Sequence, residues 1–274
     1  MTVLQQRPAP AALAPPAHRR PSARWLAALA VVVAMHVVAF EQTEISVSVL
    51  VQGYRGMLDF IGSALPPDLS WSDTVLPGLR AAAVTFSIGL MGTTLSLPGS
   101  LLLAVLGSRT TAFGQVSHQA ARTVMSTLRA IPDVVFALVF VTAVGLGPFA
   151  GVLALVCHGT GVMAKLWSEA MDEVDPGPVE ALQTTGASRL QVLQHAILPT
   201  VAPTFVGLVL YRLDNNVRTS LVLGLVGAGG IGFLINQSIQ LFRFDQMLSY
   251  ILIVLVLVVA VDLLSGLVRR RLST

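Results

Sequence analysis

Long apolar segments recur along this chain and are separated by short polar ones. An α-helix needs roughly 20 residues to cross the hydrocarbon core of a bilayer, and segments of about this length occur repeatedly here. Only helices and closed barrels satisfy their backbone polar groups within lipid. The sequence therefore predicts an all-α integral membrane protein with about six transmembrane helices, at Trp25–Phe40, Leu76–Leu106, Val124–Val144, Phe149–Trp167, Val201–Leu223 and Leu248–Val268.

The composition leaves no room for a separate soluble domain. Of the 274 residues, 54% are hydrophobic and 11% are charged, and the mean hydropathy is +0.76. We interpret residues 1–24, which are rich in Ala and Pro, as a disordered cytoplasmic tail. Residues 25–74 would hold the first span and an amphipathic extracytoplasmic segment, Ile45–Leu65. A transmembrane core over residues 75–268 and a basic cytoplasmic tail over 269–274 complete the predicted organisation.

The positions of the basic residues predict the orientation. Most of the arginines, and Lys165, lie in segments that this topology places on one side of the membrane. By the positive-inside rule that side is the cytoplasm, so both termini of this multi-pass protein of the plasma or inner membrane would be cytoplasmic. A cleaved signal peptide is the competing interpretation of Trp25–Phe40, but no small-x-small cleavage site follows Phe40.

Several classes of function are excluded by residues that the sequence lacks. Lys165 is the only lysine and no glycine run precedes it, so a GxxxxGK[ST] phosphate-binding loop is absent and ATP hydrolysis would need another subunit. The lone Cys157 excludes an internal disulfide, and the five histidines show no metal-ligand spacing. We therefore expect a chain with no catalytic residue, metal or cofactor of its own, and no nucleic-acid partner.

The segment Glu180–Pro199 is the longest clearly polar stretch with a helical period, and it reads EALQTTGASRLQVLQHAILP. Its pattern predicts a short helix that ends near Leu182, a turn at Gly186 and a second, amphipathic helix over Arg189–Leu198. One face of the second helix would hold Leu190, Leu193 and Ile197.

Charged and amide side chains interrupt the apolar span Val201–Leu223. Charges inside a membrane cost a few kcal/mol each on insertion scales, so they usually pair or line a wet path. Two interpretations stay open: a pathway in which guanidinium groups bind phosphate-like oxyanions, or a structural ion-pair network at a subunit interface. In either case Asp214 and Arg218, at i and i+4, could neutralise each other. The candidate pathway residues are Arg212, Asp214, Asn215, Asn216 and Arg218.

The glycine-rich segment Gly224–Gly232 contains a literal GxGxxG pattern. It follows a transmembrane helix and not a strand, so it is not a dinucleotide-binding fingerprint. Gly227, Gly229 and Gly230 either line the pathway with backbone amides or allow close helix packing.

Arg129 and Asp133 flank Pro132 at the start of another apolar segment. Their i, i+4 spacing permits a gating pair, and the alternative is that they mark the start of a helix.

Three segments together resemble the phosphonate-transport permease family of ABC importers. They are RAIPDVVFALVF at Arg129–Phe140, GLGPFAGVLAL followed by His158 and Lys165, and the Glu180–Pro199 segment continuing into YRLDNNVRTSLVLGLVGAGGIG. The spacing of Glu-Ala, the glycine and Ile-Leu-Pro in the last segment matches the EAA loop of ABC-importer permeases. The resemblance covers about Leu76–Val268.

This resemblance implies a type I ABC-importer permease fold with a cytoplasmic coupling helix-turn-helix that docks into a cleft on an ATPase. It also implies two copies of that ATPase, which bind ATP and Mg, an extracytoplasmic phosphonate- or phosphate-binding protein and a second copy of the permease. The cargo would be phosphonate, phosphite or phosphate, moved by alternating access. The implied coupling residues are Glu180, Ala181, Gly186, Leu190, Ile197, Leu198 and Pro199.

Two other functions remain as alternatives. An ATPase-independent anion channel or ion-coupled carrier would leave the polar hairpin without a role. An ABC permease for another small solute, such as an amino acid, keeps the mechanism, but the arginines in the membrane argue against a neutral cargo.

Overall fold

The computed structural model describes residues 23–44 and 46–272, and the regular secondary structure of these residues is entirely helical. The predicted N-terminal tail lies outside the described residues up to position 22. Short π-helical turns at Trp71–Val75 and Leu193–Ile197 extend the α-helices, and Gly224–Ala228 is a kink with non-helical backbone at Val226 and Gly227. The α-helices are α1 (Ala23–Gln42), α2 (Val47–Ala64), α3 (Leu76–Gly107), α4 (Gln115–Ala130), α5 (Asp133–Val144), α6 (Pro148–Asp172), α7 (Pro176–Thr184), α8 (Arg189–Val192), α9 (Leu198–Leu223), α10 (Gly230–Gln240) and α11 (Phe244–Leu272).

The number of candidate spans agrees with the sequence. Within the described residues, five helical segments are long and apolar enough to cross a membrane, and α4 with α5 makes a sixth if that bent pair is one span. The predicted fold class, an all-α membrane protein with about six spans, is confirmed. The five segments are Ala23–Gln42, Trp71–Gly107, Pro148–Asp172, Arg189–Ala228 and Phe244–Arg271.

The chain divides into two compact units, residues 1–58 and 59–274. The first unit contains α1, whose side chains are all exposed although they are predominantly apolar. That surface suits a helix surrounded by lipid. The amphipathic α2 begins in this unit and closely matches the helix expected over residues 45–65.

Helix α3 is the centre of the second unit, because α4, α6, α9 and α10 all pack against it. Glycines set the helix spacing. A Cβ placed on Gly92 would lie 2.5 Å from the Cβ of Leu155 in α6, and one on Gly89 would lie 2.9 Å from the backbone N of Val217 in α9. Small residues allow membrane helices to approach closely and so gain van der Waals contact.

The region of α4 and α5 differs from the sequence prediction. The sequence predicts one span from Val124 to Val144, whereas helix α4 already begins at Gln115 and is bent by 84° from α5. The break itself is where Pro132 predicts it. Proline disfavours the helical conformation of the residue before it, and Ile131 is extended, with φ −85° and ψ 121°.

Asp68 fixes the connection between α2 and α3. Its carboxylate accepts hydrogen bonds from the Thr74 hydroxyl, from the backbone N and the hydroxyl of Ser70 (2.9 Å each) and from Gln246 in α11. The Thr74 hydroxyl, followed by the two Ser70 donors, lowers the pKa of Asp68 from 3.8 to about 2. The Asp68 carboxylate therefore holds the start of α3 beside the start of α11.

The contact between α4 and α6 provides a test of the glycine packing. A Cβ on Gly161 would lie 2.6 Å from Leu128 Cβ and 2.9 Å from the Arg129 backbone N. We expect Gly161→Ala to lower the free energy of unfolding by about 1–3 kcal/mol, because a packed backbone must move. Thermal unfolding of the purified protein in detergent measures this.

Gly207→Ala in α9 is the matched control, since no atom lies within 4 Å of its added Cβ. It should be neutral or should stabilise the helix by up to about 1 kcal/mol. Equal behaviour of the two variants would show that close packing at Gly161 is not required.

Candidate functional site

Helix α9 carries a buried polar face. Arg212, Asn216 and Ser220 follow one another at intervals of four residues and are 4%, 0% and 0% exposed. This spacing puts them on one side of the helix, against α3 and α6. A guanidinium and an amide are thus enclosed within a candidate membrane span.

Two of these three side chains have partners on α3. Asn216 Nδ2 donates to Thr93 Oγ1 at 2.8 Å, and the Ser220 hydroxyl donates to the Thr85 carbonyl O at 3.0 Å. The partners come from a row of buried hydroxyl residues on α3, namely Thr85, Thr93, Ser96 and Ser100. These hydrogen bonds fix the rotation of α9 against α3.

Arg212 differs because its donors are unused. Its Nε and Nη2 atoms are buried and have no hydrogen-bond partner within the described residues, and the same holds for the acceptor Asn216 Oδ1. Gly159 of α6 lies beside the guanidinium, and an added Cβ there would be in ordinary van der Waals contact with Arg212 Nε, at 3.7 Å. Buried donors without partners cost free energy, and such groups are common where a ligand completes the site.

The break between α4 and α5 lies beside this guanidinium. Nδ1 of His158 in α6 lies 3.1 Å from the carbonyl O of Ile131. The break frees this carbonyl from the helical hydrogen-bond pattern, and His158 provides it with a partner. Asp133, the first residue of α5, interacts electrostatically with both Arg212 and His158. We call Arg212, Asn216, Asp133 and His158 the central polar cluster.

Of the two interpretations of Arg129 and Asp133, the structure favours the helix start, because α5 begins at Asp133. Arg129 is exposed at the end of α4, and no ion pair in the described part of the chain joins it to Asp133. The 84° bend separates the two helices, so the i, i+4 spacing of a continuous helix does not apply. Asp133 interacts electrostatically with Arg212 of α9 and His158 of α6 instead.

The opposite side of α9 carries a second set of charges. The i, i+4 pair predicted from the sequence is present, with Arg218 Nη2 2.9 Å from Asp214 Oδ2. Asp262 of α11 lies 3.9 Å from the same nitrogen. Since residues 212 and 214 are about 200° apart around a helix, the candidate pathway residues do not share one surface. Asn215 is half-buried between the two faces.

The glycine-rich segment contributes close packing. Gly227, Gly229 and Gly230 have φ values of 98°, 77° and 73°, which a side chain rarely permits. A Cβ on Gly230 would collide with Thr85 Oγ1, and that oxygen also accepts the backbone N–H of Ile231 at 2.9 Å. These contacts favour the packing interpretation of the segment.

The polar hairpin contains α7, a turn at Gly186 with φ +81°, and α8. Asp175 caps α7 by accepting from the Gly177 backbone N at 2.9 Å, and Ser188 and Gln191 form a capping box at α8. The second helix does not end at Leu198 as predicted, because the π turn at Leu193–Ile197 joins it to α9.

The predicted coupling residues separate into exposed and buried ones. Leu193 and Ile197 are buried, but Leu190 is 60% exposed, so the predicted common apolar face is wrong at Leu190 and Val192 is buried instead. The cause is that α8 is only one turn long and projects beyond the core. Exposed members are Glu180, Ala181, Gly186, Leu190 and Pro199, while Ile197 is fully buried and Leu198 is half-buried.

Sequence reasoning missed the residue that ties this end of the bundle together. Asp172, at the end of α6, accepts from the Ser108 hydroxyl and the Arg109 backbone N at 2.7 Å each, and pairs with Arg122 Nη2 at 3.3 Å. Arg189 of the hairpin donates to the Ala112 carbonyl O at 2.6 Å. The sequence shows Asp172 only as one of several acids before the hairpin, so no local signal identified it.

Comparison with known proteins identifies the family. Residues 96–274 match the binding-protein-dependent transport system inner membrane components. The chain belongs to this family. The prediction that it is a membrane transport subunit of an ABC importer and not an enzyme is thereby confirmed.

Several curated relatives of this permease are named for the transport of phosphite, phosphate or phosphonate. It is 37% identical over 221 residues to the phosphite transport system permease protein PtxC of Stutzerimonas stutzeri, covering 81% of this chain and 79% of that one. It is 41% identical over 192 residues to the phosphate-import permease protein PhnE of Mycolicibacterium smegmatis, covering 70% of this chain and 36% of that one. It is 42% identical over 118 residues to the putative cryptic phosphonate transport system permease protein PhnE2 of Escherichia coli, covering 43% and 97%.

Solved structures support the fold of this permease. A chain of the MetNI methionine ABC transporter in an inward-facing conformation superposes with a TM-score of 0.60 at 23% identity, over 72% of this chain and 95% of that one. A chain of a bacterial alginate importer gives a TM-score of 0.58 at 18% identity, over 92% and 99%. The predicted type I ABC-importer permease fold is confirmed.

The charge pair on α9 can be tested by a double-mutant cycle. Arg218→Gln leaves the Asp214 carboxylate, which is 8% exposed, without a close cation, whereas Arg218→Gln with Asp214→Asn removes both charges. We expect the single change to lower the thermal midpoint in detergent and the double change to restore part of it, with a coupling free energy of about 1 kcal/mol or more. Arg80→Gln, an exposed arginine of α3, is the control. Additive effects would show that the pair does not stabilise the fold.

Proposed function

We propose that this permease imports a phosphorus oxyanion, namely phosphonate, phosphite or phosphate, from an extracytoplasmic binding protein into the cytoplasm. It acts as a pair of identical copies in the inner or plasma membrane, with both termini in the cytoplasm. Two copies of a cytoplasmic ATPase bind ATP and Mg and supply the energy. No covalent step takes place on this chain, whose own residues bind no cofactor.

The observation that carries the choice of cargo class is the buried guanidinium of Arg212. Its free Nε and Nη2 donors fit the oxygens of a tetrahedral oxyanion, which arginine binds through parallel hydrogen bonds. The free Asn216 Oδ1 is an acceptor and suits a protonated P–OH group. The named relatives, which are phosphite, phosphate and phosphonate permeases, support the same class.

Because Arg212 is only 4% exposed, an anion reaches it only when the helices around it separate. The break between α4 and α5 is the natural place for this movement, since few backbone hydrogen bonds need to change there. Asp133 holds Arg212 electrostatically while the site is empty, and an incoming anion competes with Asp133 for the same guanidinium. Of the predicted gating residues, we assign this function to Asp133. Asp214 and Arg218 balance charge on the outer side of α9.

Coupling to the ATPase uses the exposed surface of the hairpin. Glu180, Ala181, Gly186 and Leu190 make this surface, while Ile197 and Leu198 anchor the hairpin in the core. A movement of the hairpin is transmitted to the loop between α3 and α4 by Arg189 and Asp172. ATP-driven closure of the ATPases thereby opens and closes the route past the central polar cluster, which is an alternating-access mechanism.

Uptake measurements test the cargo. Labelled inorganic phosphate is given to cells with and without the gene, in competition with 2-aminoethylphosphonate, phosphite and sulfate. We expect a gene-dependent component that phosphorus oxyanions displace better than sulfate. Arg212→Gln should lower this gene-dependent uptake at least tenfold at an equal amount of protein in the membrane. Arg212→Lys should lower it less, because lysine keeps the positive charge but lacks the parallel N–H donors of the guanidinium.

The ranking of the competitors identifies the physiological anion. If no phosphorus oxyanion affects gene-dependent uptake, the cargo is another solute and the proposal is wrong, although the importer fold remains. Transport that persists without any ATPase would indicate a channel or an ion-coupled carrier.

The coupling surface is tested separately. Glu180→Ala removes an exposed carboxylate and should leave the stability of the permease unchanged, but the partner ATPase should no longer co-purify and uptake should fall at least tenfold. Gly186→Ala should act in the same direction, because φ +81° costs an L-residue about 1–2 kcal/mol. Glu173→Ala, an exposed acid just before α7, is the matched control. Retention of the ATPase by the Glu180 and Gly186 variants would contradict this assignment.

A further inference from the structure

The buried amide of Asn216 is held in one orientation. Its Nδ2 donates to Thr93 Oγ1 at 2.8 Å. The Thr93 hydroxyl in turn donates to the Gly89 carbonyl O at 2.7 Å, one turn earlier in α3. Because a hydroxyl has a single proton, Thr93 Oγ1 is left to accept, and the NH2 group is the side of the amide that it binds. The carbonyl side of the amide is therefore directed away from Thr93.

This carbonyl oxygen of Asn216 receives no hydrogen bond. The residue is 0% exposed, and its Oδ1 has no partner within the described residues. A buried acceptor without a donor costs free energy, and such a group is common where a ligand completes the site. The hydrogen bonds to α3 thus present a free acceptor in a fixed position.

Arg212 presents the opposite kind of group one helical turn away. It lies four residues before Asn216 in α9, so the Cβ atoms of the two residues are about 6 Å apart on one face of the helix. Nε and Nη2 of Arg212 are donors without partners in the described part of the chain. A ligand that satisfies all three atoms must bring acceptor oxygens to Arg212 and an O–H or N–H donor to Asn216.

Tetrahedral oxyanions differ in whether they carry such a donor near neutral pH. Inorganic phosphate keeps at least one P–OH group in both of the ions that it forms there. Phosphite and phosphonates keep one P–OH group as monoanions and lose it as dianions. Sulfate has no proton, so one of its oxygens would meet the Asn216 oxygen without a hydrogen bond. A site built around a hydrogen bond rejects an analogue that lacks the donor, because the buried acceptor then stays unpaired.

We propose that Asn216, oriented by Thr93, is the residue by which this permease selects oxyanions that carry a P–OH proton and rejects fully deprotonated ones such as sulfate. This inference rests on the proposed function, in which the anion binds Arg212. It adds a selection step within the membrane to any selection by the binding protein. Asn216 contacts the cargo, whereas Thr93 is a positioning residue. The proton stays on the cargo throughout, and no bond to phosphorus changes.

Few ionisable groups surround Asn216. Asp133 of α5 and His158 of α6 both interact electrostatically with Arg212. Of these, His158 is the type of residue that titrates near neutral pH, so a test that varies pH must separate its titration from that of the cargo. The other charged side chains of α3, α6 and α9 are paired or exposed, and they are Arg80, Lys165, Glu169, Asp172, Asp214 and Arg218.

Uptake at two pH values tests the inference in cells that contain the whole importer. Labelled phosphite and labelled phosphate are supplied at pH about 6 and pH about 8, between which phosphite loses most of its P–OH proton. Each uptake rate of Asn216→Leu is divided by the wild-type rate, which removes the pH dependence of the binding protein and the ATPase. We expect this ratio for phosphite to be about tenfold lower at the acidic pH than at the alkaline pH. For phosphate the ratio should be low and nearly equal at both. Titration of His158 acts on both anions, so phosphate is the internal control.

Variants of Thr93 give an independent measurement that leaves Asn216 in place. Thr93→Val removes the acceptor that holds Nδ2, so the amide can turn and present its NH2 group to the anion. Sulfate should then compete with phosphate uptake at least fivefold better than in the wild type. Thr93→Ser keeps the hydroxyl and should keep the discrimination against sulfate. Asn236→Leu, a half-buried amide of α10 outside the central polar cluster, is the control and should change phosphite uptake by the same factor at both pH values.

Two results would overturn the assignment of Asn216, namely equal phosphite ratios at the two pH values and unchanged sulfate competition in Thr93→Val. If either occurs while Arg212→Gln still lowers phosphorus-oxyanion uptake, the proposed function stands and this inference alone is wrong. If no phosphorus oxyanion shows gene-dependent uptake, the proposed cargo class is wrong and this inference is wrong with it.

Discussion

Burying a charged side chain inside an apolar helical bundle costs free energy, and this constraint determines which residues surround α9 in the permease. Arg212 and Arg218 lie six residues apart in this helix, but the free-energy cost of each charge is offset differently. Arg218 is matched by Asp214 on its own helix and by Asp262 of α11. Within the described residues, Arg212 has no ion-pair partner, interacts with Asp133 only at a distance and keeps free donors. A structural charge would have a close partner, so the difference between the two arginines supports the proposal that Arg212 binds the cargo.

Close packing makes this arrangement possible. Gly89 and Gly92 bring α9 and α6 against α3. The same packing fixes the buried hydroxyls of α3 in positions where Asn216 and Ser220 find partners. Because a packed interior does not deform continuously, a movement is expected at its interruptions. The break before Asp133 is such an interruption, and it lies beside Arg212.

The sequence predicted the number and type of spans, because apolar runs of membrane length have few alternative folds. It also predicted the Asp214–Arg218 pair and the turn at Gly186, which depend on residues close in sequence. It failed at α4 and at Leu190. Helix α4 was hidden because the polar residues of its first half resemble a loop. Asp133 and Arg212 are 79 positions apart, and Asp172 and Arg122 are 50, so no local pattern connects them.

In the proposed mechanism, a movement of the hairpin must reach the break between α4 and α5. Arg189 joins the hairpin to the loop after α3 through the Ala112 carbonyl O. Asp172 joins that loop to α6 and α4, since its carboxylate holds Ser108, Arg109 and Arg122 at the same time. A movement of α6 at this end therefore displaces α3 and α4 together. At the far end of α4 is the break, where His158 contacts the Ile131 carbonyl O and Asp133 interacts electrostatically with Arg212. Helix α4 thus connects the hairpin end of the bundle to the central polar cluster, so a displacement of α4 changes the position of Asp133.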